Sequence, residues 1–372
     1  MKMRIAVWMV LMACLTTAAQ EPASLKEAYK GDFVIGAALN PGQFTGTDAR
    51  GAELAARQFN SITPENVLKW ERVHPRPGVY DFALPDKYVE FGEKNHMFIV
   101  GHCLVWHSQV PNWVFEDDAG KPLTREALLQ RMREHIFAVV GRYKGRIASW
   151  DVVNEALNDD GSLRQTKWLQ IIGEDYIAKA FEYAHQADPQ AQLNYNDYSL
   201  ENEAKRNGAI ALIKRLQAQG IPIAVVGIQG HDSLDWPSAA LEDATIDAFA
   251  KLGVKVAITE LDIDVLPPIQ PGSADVSLNV KADPRLNPYV NGLPDAVQKQ
   301  LAMRYAGLFA VYLKHRAAVN RVTFWGVTDG DSWRNNWPVA GRTSYPLLFD
   351  RKGQPKPAFD AVIRLATGPV QP

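Results

Sequence analysis

Two glutamates at the ends of short apolar segments are the first candidates for chemistry. Glu155 follows Ser-Trp-Asp-Val-Val at 149–153, with Asn154 directly before it. Glu260 follows Val-Lys-Val-Ala-Ile-Thr at 254–259. Because burial of an unpaired carboxylate is costly, packing alone does not explain an acid at the end of a buried strand. Two such residues in one sheet indicate general acid–base or nucleophilic catalysis.

The elements that must position these residues alternate along the chain. Short apolar runs typical of buried strands occur at 32–38, 59–63, 97–104, 147–154, 192–196, 224–229, 255–259 and 321–325. Amphipathic patterns predict helices between them, most clearly at 125–143, 176–187, 203–219, 239–252 and 296–319. This alternation predicts an α/β fold, a single-domain (β/α)8 TIM barrel. A doubly wound sheet is the alternative, but no glycine-rich phosphate-binding turn follows the first strand.

Polar side chains collect where the predicted strands end, and a barrel brings all those ends to one face. They are Glu65, Asn66 and Lys69 after the second strand, His102, Trp106, His107 and Gln109 after the third, Asn154 and Glu155 at the fourth, Tyr198 after the fifth, Gln229 and His231 after the sixth, Glu260 and Asp262 at the seventh, and Trp325 and Trp333 after the eighth. We therefore expect them to converge on one cleft.

Two carboxyl groups in a cleft lined with tryptophan, amide and histidine side chains are typical of a glycoside hydrolase. One carboxyl must be protonated to assist the departing oxygen, and the other must be ionised to attack or to activate water. Like charges at short range separate the two pKa values. Tryptophan faces can stack on sugar rings. The spacing also indicates that His231 orients Glu260 while Asp262 holds the imidazole.

Six segments carry a resemblance to a known family. They read ITPENVLKW at 62–70, GHCLVWHSQ at 101–109, WDVVNEA at 150–156, GIQGH at 227–231, ITELD at 258–262 and WGVTD at 325–329. With these motifs in this order, the chain resembles the xylanases of glycoside hydrolase family 10 over residues 26–366. The resemblance implies endo-1,4-β-xylanase activity with retention of anomeric configuration.

The resemblance also implies a role for each matching residue. Glu155 would be the acid/base and Glu260 the nucleophile. Apart from the resemblance, we expect Asp262 and His107 in supporting positions, with His107 as either a structural histidine or a substrate contact. The sugars on the non-reducing side of the cut would be held by Glu65, Asn66, Lys69, His102, Trp106, Gln109 and Asn154. Gln229 and His231 would support the nucleophile and the reacting sugar, Trp325 and Trp333 would pack over that sugar, and Tyr198 would line the far side of the cut.

Composition and spacing restrict cofactors and partners. The net charge of −2 and pI near 6.5 argue against a nucleic-acid partner. The spacing of His102 and His107 fits no common metal motif, so we expect neither a metal nor another cofactor. The expected partners are xylan and xylo-oligosaccharides, and the expected state is a monomer.

The first residues have the pattern of a secretory signal. A charged start, an apolar run and a small-residue site predict cleavage after residue 19, leaving a mature catalytic domain at 20–372. The alternative is a lipoprotein signal with Cys14 as the lipidated residue. The protein is therefore expected to be secreted or periplasmic, without a membrane-spanning helix. Cys103 would be the one thiol left, as a small core residue where the family more often has threonine.

One long insertion follows the seventh predicted strand. Residues 267–294 are rich in Pro, Gly, Asn and Asp, and loops of this length in compact domains are usually functional or mobile. They are expected to shape one end of the cleft, and they are longer than in minimal family members.

Two alternative functions remain open at this stage. One is a sugar-binding barrel without catalytic activity, and the other is a related β-glycanase that uses the same acid–base chemistry. Both glutamates and their predicted partners Asn154 and His231 argue against the inactive barrel.

Overall fold

The computed structural model describes residues 24–269 and 274–367. The predicted signal segment and Cys14 lie outside the described residues, as do residues 270–273 of the long insertion. Within the described ranges, no helix combines the length and the apolar character needed to cross a membrane.

A closed parallel barrel forms the centre of the molecule. Its strands are β1 (Val34–Leu39), β2 (Ser61–Pro64), β3 (Phe98–Val105), β4 (Ser149–Asn154), β5 (Gln192–Asp197), β6 (Val225–Ile228), β8 (Lys255–Asp264) and β9 (Val319–Phe324), with a short β7 (His231–Ser233) beside β8. Each strand from β1 to β5 pairs in parallel with the next, β6 pairs with β8, β8 with β9, and β9 with β1. The predicted (β/α)8 barrel is therefore confirmed.

Helices cover the outside of the barrel between the strands. They are α1 (Leu25–Ala28), α2 (Pro41–Thr45), α3 (Ala49–Gln58), α4 (Trp70–Val73), α5 (Ala83–Lys94), α6 (Arg125–Arg142), α7 (Lys167–Ile172), α8 (Tyr176–Ala187), α9 (Glu203–Ala218), α10 (Ala239–Ala250), α11 (Asp295–Lys314) and α12 (Pro357–Thr367). Capping side chains mark where two of them begin: the Thr124 and Ser238 hydroxyls accept hydrogen bonds from backbone N–H groups in the first turns of α6 and α10. Gly220 and Gly253 follow α9 and α10 at φ +71° and +78°, where glycine is favoured.

Two predicted boundaries were wrong. The helix predicted at 296–319 ends at Lys314, and Val319 begins β9. A turn intervenes in which the Ala318 N–H donates to the His315 carbonyl at 2.7 Å. Apolar residues fill both the helix end and the strand, so periodicity did not separate them.

The seventh predicted strand was also too short. It was predicted to stop at Thr259, but β8 continues through Glu260 to Asp264 and pairs with β7, which the sequence did not predict. The pairing of β8 with β9 shifts register between Ile258 and Leu261, in the part of the strand that carries Glu260. Such an irregularity re-aims side chains, and strand propensity does not reveal it.

Close packing in the barrel depends on a glycine in β3. A methyl group at Gly101 would lie 2.1 Å from the ring of Trp150, which is fully buried on the neighbouring β4. Gly101 therefore lets the indole lie against the backbone just before His102. Cys103, on the same strand, is a buried free thiol, as predicted.

Candidate active site

A pocket of about 150 Å³ opens at the carboxyl ends of the strands. Thirteen of the predicted site residues line it: Glu65, Asn66, Lys69, His102, Trp106, Gln109, Asn154, Glu155, Gln229, His231, Glu260, Trp325 and Trp333. Ala274 and Val276 of the long insertion complete the wall. Asp262 lies behind His231, while Tyr198 and His107 do not line this pocket.

Glu155 leaves β4 in an unusual backbone conformation. Its φ is +56°, a left-handed value that costs a residue with a side chain about 1–2 kcal/mol. The fold holds it there, because the Glu155 N–H donates to the Asn196 carbonyl at 2.9 Å. Non-glycine residues held in this region often belong to functional sites.

The Glu155 carboxyl group is buried and receives hydrogen bonds from three side chains. Trp106 Nε1 donates to Oε2 at 2.9 Å, while Gln229 Nε2 and Asn154 Nδ2 each donate to Oε1 at 3.1 Å. Burial raises the pKa of Glu155 above its usual value, and the charge of Glu260 raises it further, although these bonds act in the opposite direction. Glu155 therefore has the environment of a carboxylic acid that keeps its proton.

Glu260 has charged and polar partners on both carboxylate oxygens. Asn196 Nδ2 donates to Oε1 at 2.8 Å, and His231 Nε2 lies 3.3 Å from Oε2. His231 Nδ1 lies 3.0 Å from Asp262 Oδ1. The order Glu260–His231–Asp262 is the arrangement expected from the spacing of these residues.

The carboxylates around His231 favour the protonated form of its imidazole. Burial by itself would lower the pKa of His231, but the charge of Asp262 and hydrogen bonds to both carboxylates raise it to about 9. Burial likewise opposes ionisation of Asp262, yet the Arg334 guanidinium and His231 hold its pKa at about 2. At neutral pH, His231 therefore donates from both ring nitrogens and orients the Glu260 carboxylate.

Asn196 links the two glutamates. Its Nδ2 donates both to Glu260 and, at 2.9 Å, to Asn154 Oδ1, while Asn154 Nδ2 donates to Glu155. The Thr259 hydroxyl donates to Asn196 Oδ1 at 2.6 Å and so sets the direction of the amide. A methyl group at Gly227 would lie 2.3 Å from that Oδ1. Only glycine leaves room for Asn196 at this point.

A second polar cluster lies at the ends of β2 and β3. Lys69 Nζ donates to Gln109 Oε1 at 2.8 Å and to Asn66 Oδ1 at 3.1 Å, and it lies 4.8 Å from the centre of the Trp106 ring. Burial lowers the pKa of Lys69 and raises that of Glu65 to about 7. These donors and acceptors suit the neighbouring hydroxyl groups of a sugar.

Aromatic side chains complete the pocket. Trp333 Nε1 donates to Asp262 Oδ2 at 2.7 Å, which fixes the plane of its indole. Trp325 lies edge-on to His102 and His231, with ring centres 5.4 and 6.3 Å apart. His102 Nδ1 lies 2.9 Å from Asp151 Oδ2, which orients the imidazole. Indole surfaces held in this way can pack against a sugar ring.

Tyr198 and His107 lie beside the pocket rather than in its wall. Tyr198 is 3% exposed, and its hydroxyl accepts a hydrogen bond from Arg164 Nη2 at 2.7 Å. His107 packs edge-on against Trp106 at 5.8 Å, and burial lowers its pKa to about 4. Access to Tyr198 is therefore restricted in this structure.

Arg334 and Arg164, beside the site, were not predicted from the sequence. They lie in loops, and only the fold brings them here. Asn196 ends the fifth predicted strand, where polar side chains were expected to face the cleft. Ala274 and Val276 belong to the insertion that was expected to shape one end of the cleft. Within the described ranges, no group of three or more His, Cys, Asp or Glu side chains has the arrangement of a metal site.

Comparison with known proteins agrees with this geometry. The model of glycosyl hydrolase family 10 matches residues 24–365. Endo-1,4-beta-xylanase A of Xylanibacter ruminicola is 45% identical over 357 residues, which cover 96% of this chain and 97% of that protein. Beta-1,4-xylanase of Dictyoglomus thermophilum is 44% identical over 343 residues, covering 92% and 90% of the two chains.

Solved structures give the same result. A GH10 endoxylanase retrieved from a sugarcane soil metagenome is 48% identical with a TM-score of 0.90, and the match covers 92% of this chain and all of that one. A mutant protein solved in complex with xylotriose is 38% identical with a TM-score of 0.82, covering 92% and 99%. With a family match over nearly its whole length, this chain belongs to glycosyl hydrolase family 10.

Proposed function

We propose that this protein is a retaining endo-1,4-β-xylanase that cleaves internal β-1,4 linkages of xylan and xylo-oligosaccharides. The observation that carries the proposal is that Glu155 and Glu260 line one pocket in different environments. Burial favours the protonated form of Glu155, whereas Glu260 faces the donors Asn196 and His231. The xylanase names of similar proteins and the xylotriose bound to one of them support this substrate.

In the first step, Glu155 acts as the general acid. It gives its proton to the glycosidic oxygen while the Glu260 carboxylate attacks the anomeric carbon, so the bond to the leaving sugar breaks as the glycosyl–enzyme ester forms. Negative charge leaves Glu260 and appears on Glu155. The three donors around Glu155 then stabilise the new carboxylate.

In the second step, Glu155 acts as the general base. It removes a proton from water, which attacks the anomeric carbon and releases Glu260 as a carboxylate. His231 and Asn196 stabilise the charge that returns to Glu260. Two inversions at one carbon give net retention.

We assign the remaining pocket residues to the sugar chain. Asn66, Lys69 and Gln109 form a connected set of donors and acceptors for the sugar on the non-reducing side of the cut, and Glu65 lines the same pocket. The reacting sugar would contact His102, Trp106, Asn154, Gln229, Trp325 and Trp333. Asp262 orients His231, and His107 supports Trp106.

Processing at the amino terminus is a separate proposal. The pattern of residues 1–19 supports secretion of a mature chain that begins at Gln20 or, in the lipoprotein alternative, at a lipidated Cys14. Mass spectrometry of the mature amino terminus distinguishes the two. Sedimentation of the purified protein tests the expected monomer.

The test of the proposed activity is reducing-sugar release from xylan, β-glucan and mannan by the wild type and by Glu260→Ala. We expect release from xylan that the variant lacks, with an unchanged far-UV circular dichroism spectrum as the control for folding. Release from β-glucan or mannan instead of xylan would replace the substrate assignment. Binding of xylan without release by the wild type would favour the inactive sugar-binding barrel.

A further inference from the structure

A segment of the long insertion bounds the catalytic pocket on one side. Ala274 and Val276 line the same pocket as Glu155 and Glu260. Ala274 is buried, and Val276 keeps 39% of its surface exposed. The residue between them, Asp275, does not line the pocket and pairs with Arg164 in the loop that follows β4.

An ion pair holds this segment in place. Asp275 Oδ2 lies 3.5 Å from Arg164 Nη1, and the two side chains are 29% and 17% exposed. Asp275 Oδ1 accepts from the Ser277 N–H at 2.9 Å, which fixes the carboxylate. Arg164 also donates to the Tyr198 hydroxyl at 2.7 Å, so one guanidinium connects the segment to Tyr198.

Tyr198 is buried beside this ion pair. Its hydroxyl accepts from Arg164 at 2.7 Å, and the Lys205 ammonium lies 3.4 Å from the centre of its ring. Only 3% of Tyr198 is exposed. A ring that stacks on a sugar needs a free face, so a sugar of the leaving group reaches Tyr198 only after the groups around the ring, Arg164 among them, move.

We propose that the Arg164–Asp275 ion pair is a specificity determinant that keeps residues 274–276 across the leaving-group side of the pocket. The inference rests on the proposed xylanase activity. With the pair formed, the pocket accepts substrates whose leaving group is small. A xylosyl chain beyond the cut requires the pair to open, so its apparent affinity is its affinity for the open form multiplied by the fraction of molecules that are open.

The test compares two xylosyl substrates with different leaving groups. Xylobiosyl fluoride has a single-atom leaving group, whereas xylohexaose places several xylosyl units beyond the cut. We measure the ratio of kcat/KM for xylohexaose to kcat/KM for xylobiosyl fluoride. In Asp275→Asn this ratio should rise by about 2- to 5-fold, the range expected for a partly exposed ion pair.

Asp283→Asn is the matched control. It removes the same charge from the same insertion, where Asp283 pairs with the exposed Arg285 at 2.6 Å and does not line the catalytic pocket. Its ratio should equal that of the wild type. A ratio in Asp275→Asn that stays at the wild-type value or falls would overturn the proposal.

Salt provides a second measurement on the unmodified enzyme. Added NaCl weakens a partly exposed ion pair by screening, so the wild-type ratio should rise with ionic strength, and the rise should be absent in Asp275→Asn. The same salt response in both proteins would contradict the inference. A wild type that hydrolyses neither substrate would instead refute the xylanase activity, which keeps the two failures apart.

Discussion

Asn196→Ala is the most direct test of how the fold organises the two glutamates. The substitution removes the donor that lies 2.8 Å from Glu260 Oε1 and also bonds Asn154 at 2.9 Å. The Glu260 carboxylate then has His231 as its remaining partner among the hydrogen bonds described above. In the proposed mechanism the charge of Glu260 disappears and returns during each turnover, so its orientation matters in both steps.

The magnitude follows from the type of bond. A hydrogen bond to a charged group contributes about 1.5–3 kcal/mol. Each 1.36 kcal/mol in the barrier changes the rate by about tenfold, so kcat/KM for xylotetraose should fall by about 10- to 150-fold. Asn194→Ala is the matched control: it removes a buried amide two residues earlier on β5, bonded to Ser149 at 2.9 Å and Asp151 at 3.0 Å.

Two assays separate catalysis from folding. Urea unfolding should show that both variants lose about 1–3 kcal/mol, since each loses buried hydrogen bonds. Steady-state kinetics should show a much larger loss of kcat for Asn196→Ala than for Asn194→Ala. Equal losses of kcat in the two variants, or a loss below about threefold in Asn196→Ala, would refute a specific role of Asn196 at Glu260.

Three further predictions concern Glu155, a buried histidine pair and a glycine. Glu155→Ala should slow cleavage of xylo-oligosaccharides far more than that of 2,4-dinitrophenyl xylobioside, because a good leaving group needs little protonation; equal losses would argue against Glu155 as the acid. Burial lowers the pKa of His74 to about 4 and that of His135 well below its usual value, and their Nδ1 atoms lie 3.2 Å apart. The unfolded chain therefore binds more protons than the folded chain, so the free energy of unfolding should fall as the pH drops from about 6.5 to about 4. In urea titrations over this pH range, the fall should be smaller for His135→Phe than for the wild type. The same pH dependence in both proteins would contradict this assignment. Gly227→Ala should lower the stability by about 1–3 kcal/mol and should also lower the activity, because the new methyl group would displace Asn196. A wild-type kcat together with a wild-type melting temperature would show that the strand adjusts freely.

Local patterns in the sequence were sufficient to predict the barrel and most of the pocket. Apolar runs long enough for strands alternate with amphipathic helices, and strand ends of a parallel barrel share one face, so residues as distant as Glu65 and Trp325 were expected to meet. The structure brings both into one pocket. For thirteen of the predicted site residues the fold converts position at a strand end into position in the cleft, whereas Tyr198 and His107 lie beside it.

Tertiary structure decided what depends on contacts between loops and on exact register. The register shift that aims Glu260, the left-handed backbone of Glu155 and the place of Arg334 beside Asp262 all arise from packing between distant segments. The same is true of Asp275 and Arg164, which are far apart in the chain and meet at 3.5 Å. Residue type and periodicity report which face of an element is buried, whereas the partner of a loop side chain is determined only when the whole chain has folded.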